Sequence, residues 1–341
     1  MINKCALLVS ILLIVYCEKI SAQSEPIPDS AYFQQNLNSF TKGNNFRRYR
    51  FLKKYAERNR LDNLLVKTQA IDWLGMYRNV IVEKKGKTDS VIYIVCHYDK
   101  VDANVFWFAN LFVNGAFDIL LSNISLSKGA SDNGTGVVSL LGIMQWMNAY
   151  DTYYTYRFLF SGMEEYGLRG SRRHVSGLSQ KEWRKCVLAI NIDMIGSKRT
   201  SGITISSDVT DPRLLVKAKS ICERYNFQLT EVPLPDGGDT DCTSFTGQSF
   251  KKDFGSSLSF NLIGGILPQR SYFTKRKEAI PVINFTEEIK ISAADYISFI
   301  SPVSFGDIHS FRDKRQRVSM KNLVEHAAFF RYYIQSLEPV R

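Results

Sequence analysis

The chain has no CxxC pair, no glycine period, no sustained heptad and no repeat at solenoid spacing. These absences exclude a thiolate zinc ribbon, a collagen, a coiled coil and a repeat array. It also lacks the GxxxxGK[ST] phosphate loop and the GxSxG elbow of a serine hydrolase. Histidine is scarce, with four in 341 residues, so an imidazole-based site can draw on very few candidates. Proline is scarce too, 9 residues against 21 glycines. What remains, 45% hydrophobic and 23% charged, is the balance of a chain that can bury a core.

Long apolar runs are missing, with one exception. Cys5–Cys17 is a 13-residue apolar stretch behind Lys4 and ahead of Ile20-Ser21-Ala22. It is too short to span a bilayer. A basic start, an apolar middle and a small residue at the end read as a secretory signal peptide over residues 1–22, leaving one domain over 23–341. The expected location is secreted or periplasmic, with no stable membrane anchor. Cleavage removes Lys4, Lys19 and Glu18, taking the formal charge from +11 to +10. The densest basic cluster is Arg47, Arg48, Arg50, Lys53, Lys54, Arg58 and Arg60. It reads as the solvated face of an amphipathic helix carrying Phe51, Leu52 and Tyr55, so no nucleic-acid partner is expected. Cys96, Cys186, Cys222 and Cys242 allow three pairings, and neither these nor the oligomeric state can be read from sequence.

Residues 24–45 are polar and turn-rich and read as a lead-in. Tyr77–Glu83 and Ser90–Cys96 are β-branched and aromatic runs around a Lys-Lys-Gly-Lys turn, expected as a hairpin or neighbouring strands. Further strands are expected over Tyr156–Phe160, Cys186–Asn191, Ile203–Ser206 and Ile280–Phe285. Helices are expected over Val137–Met147, from Leu178, over Pro212–Tyr225 and over Met320–Leu337. This alternation implies an α/β three-layer sandwich around a mixed, mostly parallel sheet. Two long excursions, 101–128 and 246–278, interrupt it.

In such a sheet the ligand crevice lies beyond the carboxyl ends of the strands. The residues there are rich in metal-ligand types: His97-Tyr-Asp99, Gly129-Ala-Ser-Asp132-Asn-Gly-Thr-Gly136, Glu164-Glu165, Asp193 and Asp307-Ile-His309. In an extended segment residues i and i+2 share a face, so Asp99 is expected to accept the second imidazole N–H of His97. The glycines around Asp132 let the backbone approach an ion. Two adjacent carboxylates at a strand end repel, and a cation resolves that by taking one while the other handles a water proton. His174, beside Arg172-Arg173 on an expected helix surface, and His326, in the closing helix, read as structural.

The ordered set His97-x-Asp99, Gly-Ala-Ser-Asp132-Asn-Gly-Thr-Gly, Met-Glu164-Glu165-Tyr-Gly-Leu-Arg-Gly-Ser171, Asn-Ile-Asp193-Met-Ile-Gly and His309 resembles the M28 family of zinc exopeptidases. That resemblance implies two zinc ions. Asp132 would bridge them, His97 and Asp193 would complete one, and Glu165 with His309 the other. Glu164 would be the general base and Asp99 the partner of His97. It implies an aminopeptidase acting on peptide or protein N-termini. The alternatives are a glutaminyl-peptide cyclotransferase on a similar scaffold, or a non-catalytic binding ectodomain of the same fold. The chain departs from the family at Thr240-Asp241-Cys242-Thr-Ser-Phe245, where relatives tend to carry His at the position of Cys242.

Overall fold

The computed structural model describes residues 27–58, 64–72, 75, 77–100, 127–165, 167–234, 239–246, 278–288 and 312–339. The expected signal peptide, His309 and most of both excursions lie outside the described residues. Eight strands form one sheet: β1 (Leu64–Ala70), β2 (Arg78–Lys84), β3 (Val91–His97), β4 (Thr155–Ser161), β5 (Cys186–Ile192), β6 (Ile203–Ser206), β7 (Leu229–Val232) and β8 (Val282–Phe285). Their spatial order is β1-β2-β4-β3-β5-β8-β6-β7. The pairs β4-β3, β3-β5, β5-β8 and β6-β7 are parallel, and the other three are antiparallel. The fold is the expected α/β sandwich with a mixed, mostly parallel sheet.

The expected pairing of β2 with β3 fails. β2 and β3 are not neighbours, because β4 lies between them, antiparallel to β2 and parallel to β3. The Lys-Lys-Gly-Lys connection is therefore no hairpin turn. β4 brings Tyr156, Phe158 and Phe160 into the core between two strands that are themselves buried. A central place for such a strand hides more apolar surface than an edge would.

The period of two along β3 divides its side chains between two cores. Ile92, Ile94 and Cys96 face a large cluster, while Val91, Tyr93 and Val95 face a smaller one. The large cluster is covered by α1 (Ser30–Phe40), α2 (Asn45–Arg58), α3 (Thr135–Asn148), α6 (Pro212–Tyr225) and α7 (Met320–Leu337). Covering the other face are α4 (Arg169–Gly177), the short α5 (Gln180–Trp183) and the turn Asp241–Phe245, through Val175, Trp183, Cys242 and Phe245. α1 falls in the stretch expected to be an irregular lead-in. Asp29 caps it by accepting the Tyr32 N–H at 2.8 Å, and Phe33, Leu37 and Phe40 share its buried face. Among the described residues the four cysteines are buried and unbonded, and no helix is long and apolar enough to cross a membrane.

His174 and His326 are both buried, which corrects the surface position expected for His174. Arg157 is paired with Glu83 at 2.6 Å and donates to the Tyr93 hydroxyl at 2.7 Å. That leaves the tyrosine proton for Nε2 of His174 at 3.0 Å, which fixes a neutral imidazole as acceptor. Burial, and then the nearby Arg157 charge, push the His174 pKa down from 6.5 to about 3. In the unfolded chain the ring protonates near 6.5, so between those values the unfolded state binds more protons and stability falls with falling pH. The expected result is a melting temperature that declines below pH 6.5. A His174→Gln variant should have an acid slope shallower by up to about 1.4 kcal/mol per pH unit between roughly pH 4 and 6. An unchanged slope in calorimetric melts across that range would contradict the assignment.

Candidate metal centre

Parallel pairing brings the ends of β3, β4 and β5 to one edge of the sheet, with His97 opposite Ser161 in register. His97 is the last residue of β3 and is buried. Its Nε2 lies 3.2 Å from Oδ1 of Asp132 and 3.2 Å from Oδ1 of Asp193. Glu165 joins from the turn after β4, so that ligand atoms of His97, Asp132 and Glu165 all lie within 4.8 Å of one another. Four of the five expected ligands therefore converge, and the fifth, His309, lies outside the described residues.

Asp99 departs from expectation. Its Oδ1 is 3.7 Å from His97 Nδ1, beyond hydrogen-bond length. Its carboxylate instead accepts the backbone N–H groups of Glu164 at 3.1 Å and Glu165 at 3.3 Å. The chain leaves the sheet just before those residues, with Met163 at φ +57°, so the two amides have no strand partner there. A buried carboxylate between them satisfies both. Asp99 thus sets the position of the Glu164-Glu165 turn and reaches the imidazole only by a longer electrostatic contact.

The Asp132 loop is held from several directions. Asn133 donates to the Ile192 carbonyl at 2.9 Å and accepts the N–H groups of Gly136 at 2.9 Å and Met194 at 3.2 Å. Those bonds lock the loop to the turn that carries Asp193. Gly136 can be nothing larger, since a Cβ there would lie 2.3 Å from Asn133 Oδ1 and 2.6 Å from the Ile192 carbonyl oxygen. Gly129 adopts φ +52°, a conformation that favours glycine.

The electrostatics are those of a site short of positive charge. Burial works to lower the His97 pKa, but Asp193, Glu164 and the contacts with Asp132 outweigh it and carry the ring well above its usual value. Burial raises the Glu164 carboxyl well above the usual range, and Glu165, Asp241 and Asp193 push the same way against His97. Asp241 is buried beside the site, accepts the Ser161 hydroxyl, and is raised to about 6, chiefly by burial. Its neighbour Cys242 is also fully buried. One imidazole and several carboxylates with converging donor atoms are the nitrogen and oxygen set that suits zinc, so the residues present fit the ion. His326 takes no part, its Nδ1 donating to the Asn322 carbonyl at 2.8 Å.

Two residues that sequence reasoning missed stand behind this set. Arg48, read as part of a solvated basic face, is fully buried beneath it. Asp313 is buried against the Asp132 loop.

Known proteins resemble the chain. It is 26% identical over 174 residues to the aminopeptidase YwaD of Bacillus subtilis, a match covering 49% of this chain and 33% of that protein. The chain spans about a third of the length of the curated relatives it matches. The structure of a zinc aminopeptidase from Bacillus subtilis superposes with a TM-score of 0.51 at 19% identity, covering 76% of this chain and 50% of that one. The glutaminyl cyclase of Porphyromonas gingivalis superposes with a TM-score of 0.62 at 14% identity, covering 92% and 100%. These two superpositions speak to the fold. The family model for peptidase family M28 matches residues 79–255, just over half of the chain, from β2 past the Asp241 turn. The chain belongs to peptidase family M28.

Proposed function

We propose that the protein is an exported zinc aminopeptidase that removes the N-terminal residue from peptides. The observation that carries this reading is the convergence of Asp132, Asp193 and Glu165 on His97, with Glu164 next to a ligand and held by Asp99. His97, Asp132, Glu165 and Asp193 would hold zinc, with His309 as the further ligand and Asp132 as the bridge between two ions. Bound zinc supplies a Lewis acid that polarises the scissile carbonyl and lowers the pKa of water. Glu164 takes the proton of the attacking water and delivers it to the departing amine. Asp99 keeps the base and the adjacent ligand in fixed relation. Export rests on the signal-like residues 1–22.

A glutaminyl cyclase is the second reading, and one feature favours it. His97 Nε2 lies within hydrogen-bond reach of both Asp132 and Asp193. With its proton on Nε2 the ring would donate to one of those carboxylates rather than bind an ion, leaving a one-zinc site. Assay of the purified full chain on amino-acid anilides and on an N-terminal glutamine peptide, with zinc quantified, separates the two. The expected result is anilide cleavage with two zinc ions per chain. Ammonia release from the glutamine peptide alone, with one ion, would reverse the order, and a natively purified chain without zinc would remove both readings.

A further inference from the structure

Arg48 and Asp313 lie outside the residues matched by the family model, 265 positions apart in sequence, yet they meet the same loop. An arginine that is 0% exposed is costly unless its guanidinium is well bonded. Nη1 of Arg48 donates to the carbonyls of Tyr98 at 3.0 Å and Asp99 at 3.4 Å, and Nη2 to those of Lys128 at 2.5 Å and Gly129 at 2.8 Å. One planar group thus joins the segment after His97 to the segment before Asp132. It lies 4.6 Å from the ring centroid of Phe40, which supports its face.

Asp313 works on the same loop through its amides. One carboxylate oxygen accepts the N–H groups of Ala130 at 3.0 Å and Ser131 at 2.7 Å, and the other accepts that of Asp132 at 3.3 Å. Its backbone carbonyl accepts the N–H of Lys128 at 3.2 Å. Arg48 holds the carbonyls of residues 128 and 129, while Asp313 holds the amides of 128 and of 130 to 132. The loop needs such a hold, because it presents Asp132 to a site already carrying Glu164, Glu165 and Asp193.

We propose that Arg48 and Asp313 are positioning residues that fix Asp132 beside His97 and so set the affinity of the site for zinc. This rests on the zinc reading above.

The test measures zinc affinity of the full chain by competition with a chromogenic chelator, alongside melting of the metal-free protein and kcat and KM at limiting and saturating zinc. Asp313→Asn keeps the shape but puts an NH2 group in place of one acceptor. Arg48→Lys keeps the charge and loses the planar fork. Each is expected to weaken zinc binding about 10–100-fold, the usual cost of losing a group behind a ligand. Saturating zinc should restore kcat with KM unchanged. A purely structural role would lower the melting point of the metal-free protein and leave zinc affinity alone. If Asp313→Asn does not fold, the milder Arg48→Lys decides. Variants that bind zinc within threefold of wild type would overturn this proposal while leaving the zinc reading intact, whereas failure of the wild type to bind zinc would overturn that reading itself.

Discussion

Glu164→Gln is expected to lower kcat by about 10²–10⁴-fold, the range for loss of a positioned acid-base group, with zinc content and KM close to wild type. The amide fills the volume of the carboxylate but cannot take a proton from water. Its backbone N–H still reaches Asp99, so the turn that also carries Glu165 keeps its place. That separation is the reason for choosing this variant over one at Glu165, where zinc binding and catalysis would fall together. Measurement needs steady-state kinetics on an anilide substrate with zinc quantified in the same samples. Retention of more than half the wild-type kcat would remove Glu164 from the mechanism. A matching loss of zinc would instead recast it as a ligand.

The parts of the fold that sequence made plain are those whose signals are local. Pro212–Tyr225 is bounded by Asp211, which caps it from before the proline, and by Asn226 at φ +57°, so both ends are readable. β3 reads as buried on both faces because its side chains are apolar almost throughout, with His97 at the end. β1 and β7 escaped because they are edge strands, mostly half-buried or exposed, with polar residues such as Lys67 and Glu231. Strand order escaped for a different reason. Whether β3 follows β2 in space or leaves room for β4 is decided by burial of β4, some sixty residues later in the chain.

The candidate site divides along the same line. Its ligand types stand at strand ends, where topology makes position informative, so His97, Asp132, Glu165 and Asp193 could be gathered before any geometry was known. Residues that act through backbone contacts carry no such mark. Asp99 was expected on the imidazole because side-chain periodicity speaks to side chains, while its main partners are two amides. Arg48 did leave a trace: it shares a helical face with Leu52 and Ala56, all three buried, which sets it apart from exposed Arg47, Arg50 and Lys54. Composition hid it among its basic neighbours. Asp313 offered nothing beyond its distance from His309.

Asp132→Asn should abolish the gain in stability that zinc confers on the folded protein. Binding to the native state alone stabilises by RT ln(1 + [L]/Kd), about 2.7 kcal/mol at a hundredfold excess over Kd. A ligand lost from the centre of the donor set is expected to cost more than the roughly 10–100-fold that removal of an outer partner costs. The variant should therefore melt at the same temperature with and without zinc in the range that shifts the wild type. The metal-free protein should behave differently from a typical core variant. Asp132 there sits near other acids, and its charge is among the causes that raise buried Asp313 to about 6, after burial itself. Neutralising it relieves that repulsion, while asparagine can still accept from His97. Metal-free Asp132→Asn loses the charge opposite His97 as well as the repulsion of Asp313, so it is expected to melt close to the metal-free wild type, although its zinc response is gone. A full zinc-dependent shift in this variant would show that the ion does not depend on Asp132, and the arrangement of ligands around His97 would have to be abandoned.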